Sequence, residues 1–450
     1  MGEDRDQAPA RSAATRPGPR LCLAAACAVL AVAATLVLRS GRDPVPAPAA
    51  APSASVPAPV DVLGLPTRGS LAGDPAFLDG VRRLPWTVRE STVGPGLPDA
   101  PVDSRRVVFA GDVPGGRWAL VVGAHTLAAG VPADPPGPPD GDLAAAWFAG
   151  PPGARPDQMR LRTVPRRAPP GQPVAMVDPA TGALAVVAAP GDVVEVSDHP
   201  DISADGDAAR SYRRVPVEAG VAVVALPPND LLLTAVAYRV VRDWTQVVRT
   251  KPDPFPAPPS RPAPVLLRRE LPSAAAERLV QRAATAVLER LGLPPADVQV
   301  AAEWAGDVPV PRGGTGTAAV VTVTVPSGAV VVNTEWAVPG PGGAVSHTRC
   351  SLAIEPAGIP TDRRVHAMAC GARTGGRTAS WTSLVVVGPP MVAVVRAHDA
   401  RGAFLAEHRA TDGVVVAPFP RGTATVEAVT DGGVSLGRVR LLGQAADFGS

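Results

Sequence analysis

Two stretches of the chain carry apolar residues at helical spacing. In "GDPAFLDGVRRLP", Phe77, Leu78, Val81 and Leu84 fall on one face, Asp74 stands where an N-cap belongs, and Pro75 suits the first helical position. In "AAAERLVQRAATAVLERLG", Val280, Ala283, Val287 and Leu291 keep the spacing; Ser273 is the cap, and Gly292 and Pro294 are the stop. Each stretch predicts one helix. Most of the remaining pattern beyond residue 60 has strand character. "RRVVFAGD" and "RWALVVGA" flank a Pro-Gly-Gly turn and predict a hairpin, and "AAVVTVTV" with "AVVVNTEW" around "PSG" reads as its second version. Toward the C-terminus come "SLVVVG", "MVAVVRAHD", "GAFLAEHRA", "GVVVAPF" and "ATVEAVT", separated by Gly, Pro and Asp. Short β-runs punctuated in this way suggest a small Ig-like sandwich.

The pattern also repeats. "GVAVVALP" (220–227) returns as "GVVVAPFP" (413–420), an offset of 193. "GDVPGG" (111–116) and "GDVPVPRGG" (306–314) are 195 apart, "WFAGP" (147–151) and "WAVPGP" (336–341) 189, and "ALAVVAAP" (183–190) and "SLVVVGPP" (383–390) 200. The same order at nearly constant offset predicts two tandem halves, 61–250 and 265–450, each with a helix, a β-sheet and a small sandwich. Val, Ala, Gly and Pro dominate this chain and raise chance similarity. The repeated octet reads as one core strand of the sandwich, stopped by proline both times. The expected fold is therefore mainly β (α+β).

Ahead of the halves lies "LCLAAACAVLAVAATLVL", Leu21–Leu38, an uncharged run that as a helix spans roughly 27 Å. Four arginines precede it (5, 11, 16 and 20) and two succeed it (39 and 42), which orients a transmembrane helix with residues 1–20 as a cytoplasmic tail. A cleaved signal peptide is the rival reading, and a lipidated Cys27 a third; all three export the chain beyond residue 40. Residues 39–60 are Pro- and Ala-rich and read as a spacer, and 251–264, "KPDPFPAPPSRPAP", as a linker between the halves.

Export gives the cysteines meaning. Cys22 and Cys27 sit in the apolar run, whereas Cys350 and Cys370 stand alone beyond it and are expected to pair, two buried thiols being the alternative. Composition narrows the function classes. Pro (55) and Gly (45) are abundant, aromatics make up only 4%, and Lys251 is the single lysine. The formal charge of +2 is dispersed rather than gathered into a basic stripe, so no nucleic-acid partner is expected.

Candidate chemistry is thin. "DISADGD" (201–207) places Asp201, Ser203 and Asp205 at alternating positions before Gly206, as a calcium loop would, but Tyr212 occupies the twelfth position; a turn is the plainer reading. The six histidines (125, 199, 347, 366, 398 and 408) form no metal motif, although His398 and His408 could face each other across a hairpin beside Asp399. No GxSxG elbow, Walker loop or carboxylate pair stands out, so no catalytic residue and no cofactor is assigned. Trp147 and Trp336 read as holding equivalent places, as core residues of their halves or as a pair of recognition anchors.

"GLPTRGSLAGDPAFLDGVRRLPW" and "RRVVFAGDVPGGRWALVVG", within 63–125, resemble stretches of uncharacterised single-pass, membrane-anchored surface proteins of Streptomyces-like actinobacteria. The resemblance implies a location at the cell membrane and carries no activity or functional residue. A transmembrane anti-sigma regulator fits poorly, because a 20-residue tail is too short to fold alone. The expected function is a non-enzymatic binding or interaction module, partnered by the bilayer through 21–38 and by an envelope protein, cell-wall material or a small extracellular ligand. The alternative is an extracytoplasmic hydrolase with a site between the halves, for which His125, His347 and His398 are the residues to test.

Overall fold

The computed structural model describes residues 60–443 apart from 87–98, 126–142, 230–234, 243–245, 251, 255–261, 311–313, 341–343, 361–362 and 373–379, together with 446, 448 and 449. The apolar run 21–38, Cys22, Cys27 and all but the last residue of the spacer lie outside the described residues. Among the described residues no helix is long and apolar enough to cross a membrane. They belong to one compact unit, Pro59–Ser450.

The first helix, α1 (Pro75–Arg82), begins where the pattern places it, with the Asp74 carboxylate accepting from Phe77 N at 2.9 Å. It buries Phe77 and Val81 against a sheet of β1 (Arg106–Val113), β2 (Gly116–Ala124), β3 (Leu143–Gly150), β4 (Arg160–Leu161) and β5 (Arg166–Arg167), in which both β4 and β5 pair with β3. Behind it come β6 (Val174–Asp178), β7 (Ala183–Val187), β8 (Val193–Ser197), β9 (Asp201–Ile202), β10 (Ala208–Ala209), β11 (Arg213–Arg214), β12 (Val221–Ala225), β13 (Ala237–Arg242), β14 (Gln246–Thr250) and β15 (Asp253–Pro254). They form sheets ordered β12-β7-β6-β15 and β11-β8-β13-β14, with β9 and β10 as a separate hairpin. Strand alternation separates the layers. Val108, Leu120 and Trp147 meet Met176, Ala185 and Val187, whereas Leu184 and Val186 point the other way, onto Val194, Tyr238 and Val240.

The succession recurs. After β16 (Leu266–Leu267), α2 (Ala274–Leu291) runs from the Ser273 cap to Gly292 in the left-handed region. It covers β17 (Gln299–Pro309), β18 (Thr315–Thr324), β19 (Val330–Pro339) and β20 (Val345–Glu355), a sheet ordered β16-β17-β18-β19-β20. Then come β21 (His366–Ala372), β22 (Ser380–Val387), β23 (Val392–His398), β24 (Phe404–Arg409), β25 (Val414–Pro418), β26 (Thr425–Thr430) and β27 (Ser435–Arg440), in the orders β21-β22-β25 and β24-β23-β26-β27. The chain is thus mainly β, with mostly antiparallel strand pairs and two α-helices among the described residues.

Register fixes which residues correspond. Val187 pairs with Val221 and Val174, and Val387 with Val414 and His366. The octets begin alike. Ala219 and Asp412 have φ of 48° and 49°, and each is followed by a positive-φ glycine, Gly220 or Gly413. A Cβ on either glycine would strike a carbonyl oxygen, Ala188 O at 2.6 Å or Pro389 O at 2.2 Å, so the repeated glycine is a steric requirement of a repeated turn. β1 and β17 also share a bulge, at Val108 and at Glu303.

The same registers correct two expectations. The counterpart of the β1–β2 hairpin is β17–β18, not the "PSG" hairpin of β18–β19, because the bulged strand is the first of each sheet. Leu120 faces Trp147 and Val320 faces Thr334, so Trp147 corresponds to Thr334, while Trp336 corresponds to Ala149. The two tryptophans stand two residues apart in register; the period of two keeps them on the same face, which is why the motifs look aligned in the sequence. In addition, Asp253–Pro254 of the Pro-rich stretch pair in parallel with β6, so the stretch begins inside a sheet of the first half.

Candidate functional site

Each helix-backed sheet must be tied to the sandwich behind it, and an arginine ahead of each helix contributes to the tie. Arg68 lies on an extended segment bridging in parallel to Phe109, and its guanidinium donates to Ala188 O (2.5 Å) and Val62 O (2.8 Å). Burial pushes this guanidinium below its ordinary value. Arg269, just past β16, donates to Gly388 O (2.8 Å), the counterpart of Ala188, and to Glu303 O (2.6 Å). Its Nε also pairs with Asp412 at 3.1 Å.

Around Arg269 the two halves diverge. A cleft of about 180 Å³ opens between β17 and β21–β22, lined by Arg268, Arg269, Glu303, Arg364, His366 and the Val387–Pro390 segment. Glu303 and His366 are buried, at 7% and 2% exposure. Glu303 Oε1 accepts from Thr322 Oγ1 at 2.7 Å. His366 Nδ1 lies 3.2 Å from Glu355 Oε1, whose other oxygen accepts from Arg364 at 2.9 Å. Arg364 also donates to Ile359 O and Pro356 O, so it is fully engaged in holding this corner.

In the first half, register puts Val108, Val122, Ala168 and Val174 at the places of Glu303, Thr322, Glu355 and His366. All four pack in one apolar core there. One scaffold therefore closes this intersheet corner with hydrocarbon once and with charge and hydroxyl the other time. Buried ionisable groups are costly unless paired, and here they are paired: carboxylate to imidazole and guanidinium, carboxylate to hydroxyl.

Burial pushes the Glu355 carboxyl up, but His366, and after it Arg364, outweigh this and hold it below the ordinary glutamate value of 4.5. A folded-state pKa below the unfolded one gives stability that is present above the unfolded value and lost as pH falls through the folded one. Acid unfolding below about pH 4.5 should therefore be shallower in Glu355→Gln than in the parent. Coincident acid-unfolding curves for the two proteins would show that Glu355 gains nothing from its partners.

The other expected site residues are scattered. His125 comes just after β2, His347 is exposed on β20, and His398 ends β23, three different sheets. His398 and His408 do not face each other: the tight Asp399–Ala403 turn sets His408 opposite Val395, and His398 lies opposite Phe404. His398 Nδ1 instead lies 3.3 Å from Gly402 O, and its Nε2 is 3.7 Å from Glu427. "DISADGD" forms the β9–β10 hairpin, with Asp207 N donating to Ser203 Oγ at 3.2 Å. That hairpin is part of the seam between the halves. Ile202 packs into the helix-backed core of the second half, and Ala204 O accepts from Ala357 N at 2.7 Å.

Beside it, a cleft of about 230 Å³ gathers His199, Asp201, Ser211 and Tyr212. Ser211 Oγ donates to Asp201 at 2.6 Å and His199 Nδ1 lies against Pro200 O at 3.1 Å, so the hydroxyl is committed to the carboxylate rather than to the imidazole. That is not the nucleophile–base–carboxylate order of a triad. Among the described residues no group of three or more His, Cys, Asp or Glu is placed to hold a metal ion.

Sequence reasoning missed Glu303, Glu355 and His366 as a group. The available signal was the repeat itself, since aligning the halves sets a glutamate and a histidine opposite valines. Comparison with protein-family models and with curated proteins finds no match to this chain.

Proposed function

We propose that this chain is a membrane-anchored extracytoplasmic binding protein, built from two Ig-like tandem halves, in which the intersheet cleft of the second half takes the ligand. The observation that carries the reading is the exchange of four apolar core positions of the first half for Glu303, Thr322, Glu355 and His366. A scaffold that can close with valine and alanine has no structural need of a buried carboxylate and imidazole there. The cleft offers a carboxylate at Glu303 and an exposed guanidinium at Arg268, so it suits a short zwitterionic group such as an amino-acid or peptide terminus. The run Leu21–Leu38 supplies the anchor and 39–60 the reach, with an envelope protein or cell-wall peptide as partner.

The test is cross-linking of the full chain in its own cells, comparing the parent with E303V/T322V/E355A/H366V, which restores the residues of the first half. With R364Q added, so that E355A does not leave the Arg364 guanidinium buried without its carboxylate, the variant should fold, because the first half packs the other four residues already. Capture of a defined envelope component by the parent, and its loss in the variant, is the expected result; equal capture by both would remove the cleft from the function.

One observation favours a second reading, an extracytoplasmic hydrolase. His366 is held through Nδ1 by a carboxylate, the arrangement that orients a general base. On that reading His366→Gln abolishes turnover of an envelope substrate while the thermal midpoint holds.

A further inference from the structure

On the opposite face of the same sheet lies a larger polar cleft, of about 470 Å³, between α2 and strands β19 and β20. The helix contributes Gln281, Arg282, Glu289 and Arg290; the strands contribute Glu335 and Arg349. Helical spacing brings 282, 286, 289 and 290 to one side, above the Glu335–Arg349 pair of adjacent strands. The first half differs at this place. Phe148 and Leu161 occupy the matching pair there and belong to the apolar core beneath a helix of eight residues instead of eighteen.

The charges in this cleft do not close on themselves. Glu335, only 5% exposed, takes Arg282 Nε at 3.0 Å. Arg349 Nε and Gln281 Oε1 are buried, and neither meets a hydrogen-bond partner among the described residues. Three guanidinium groups share the space with two carboxylates, one positive charge in excess. Burial, and after it the nearby Arg349, push the Arg290 guanidinium below its ordinary value, so these two cations disfavour each other. The Arg349 Nε is walled off from the cleft, but an anion between the two guanidinium groups would relieve their repulsion and balance the excess positive charge. The planar fork of arginine matches carboxylate and phosphate oxygens in particular.

We infer that this cleft binds a ligand through an oxyanion, carboxylate or phosphate, held between Arg290 and Arg349. The inference stands apart from the intersheet cleft, with which it shares no residue.

The full chain is titrated calorimetrically with inorganic phosphate and with citrate at constant ionic strength, beside R290Q and R349Q. Saturable binding of at least one anion, weakened about tenfold or more in each variant, is the expected outcome. Phosphate alone would assign a phosphate group, citrate alone a carboxylate. Arg349 adjoins Cys350, so R349Q could disturb the strand; R290Q, on the helix, keeps the test decisive in that event. Binding of neither anion, or binding that R290Q leaves unchanged, overturns the inference.

Discussion

Replacing both Cys350 and Cys370 with alanine should cost about 3 kcal/mol of stability, read as a lower unfolding midpoint in urea under non-reducing conditions. The two cysteines are joined, closing a segment of sequence separation 20. A cross-link of that span removes loop entropy from the unfolded chain on this scale. Its position adds to the effect. Cys350 stands on β20 of the helix-backed sheet and Cys370 on β21 of the sandwich, so the bond joins two layers through the core they share with Trp336, Met368 and Val385. Both are essentially inaccessible, at 1% and 0% exposure. Truncating either removes core contacts as well as the link.

The first half indicates where the loss should fall. It has Asp178 at the register of Cys370, turned to Ala180 N and Thr181 Oγ1, and its sheet is tied to its sandwich by the buried Arg68. Reduction should therefore lower hydrogen-exchange protection in 299–440 more than in 106–250. Uniform loss across both halves would mean that they unfold as one cooperative block. A reduced protein as stable as the oxidised one would mean that the layers need no link.

What the sequence made legible is what local chemistry decides. The Asp74 and Ser273 caps, the Gly292 stop, the hairpin turns and the pairing of two cysteines beyond the apolar run each depend on a few residues, and all are present. The octet beginning at Gly220 and again at Gly413 was legible too, because a positive-φ turn tolerates few residues. Register was not. One bulge, at Val108 or Glu303, turns every later side chain of its strand to the other face, and no residue type announces it. Independently of the bulge, sequence similarity aligns the tryptophan motifs two residues off, because a slip of two keeps every side chain on the same face. The sequence likewise allowed His398 to face His408, whereas the tight turn closed by Asp399 N and Ala403 O pairs His408 with Val395. The His366–Glu355 pair depends on how the chain returns from β20 to β21, a long-range outcome that periodicity does not encode.

Trp147→Ala should destabilise the protein by about 3–5 kcal/mol, the range for truncating a large aromatic in a packed core. Trp147 is 1% exposed and meets Phe109 and Trp118 edge-on, with ring centroids 6.0 and 6.2 Å away. Those three rings fill the space between the first helix-backed sheet and its sandwich, where the other residues are mostly Val, Ala and Leu. Beyond those two rings the neighbours are mostly short and aliphatic and fill little of the void, which places the expected cost toward the upper end. Trp147→Phe should differ sharply. The indole Nε1 is buried without a hydrogen-bond partner among the described residues, so phenylalanine removes an unsatisfied donor along with some volume, and the two effects oppose each other. A large loss for alanine beside a small one for phenylalanine, in chemical denaturation of the full chain, marks Trp147 as a filler of core volume. A recognition anchor would behave in the opposite way: Trp147→Ala would keep the unfolding midpoint of the parent and lose only the captured partner, and that pattern would reverse the assignment.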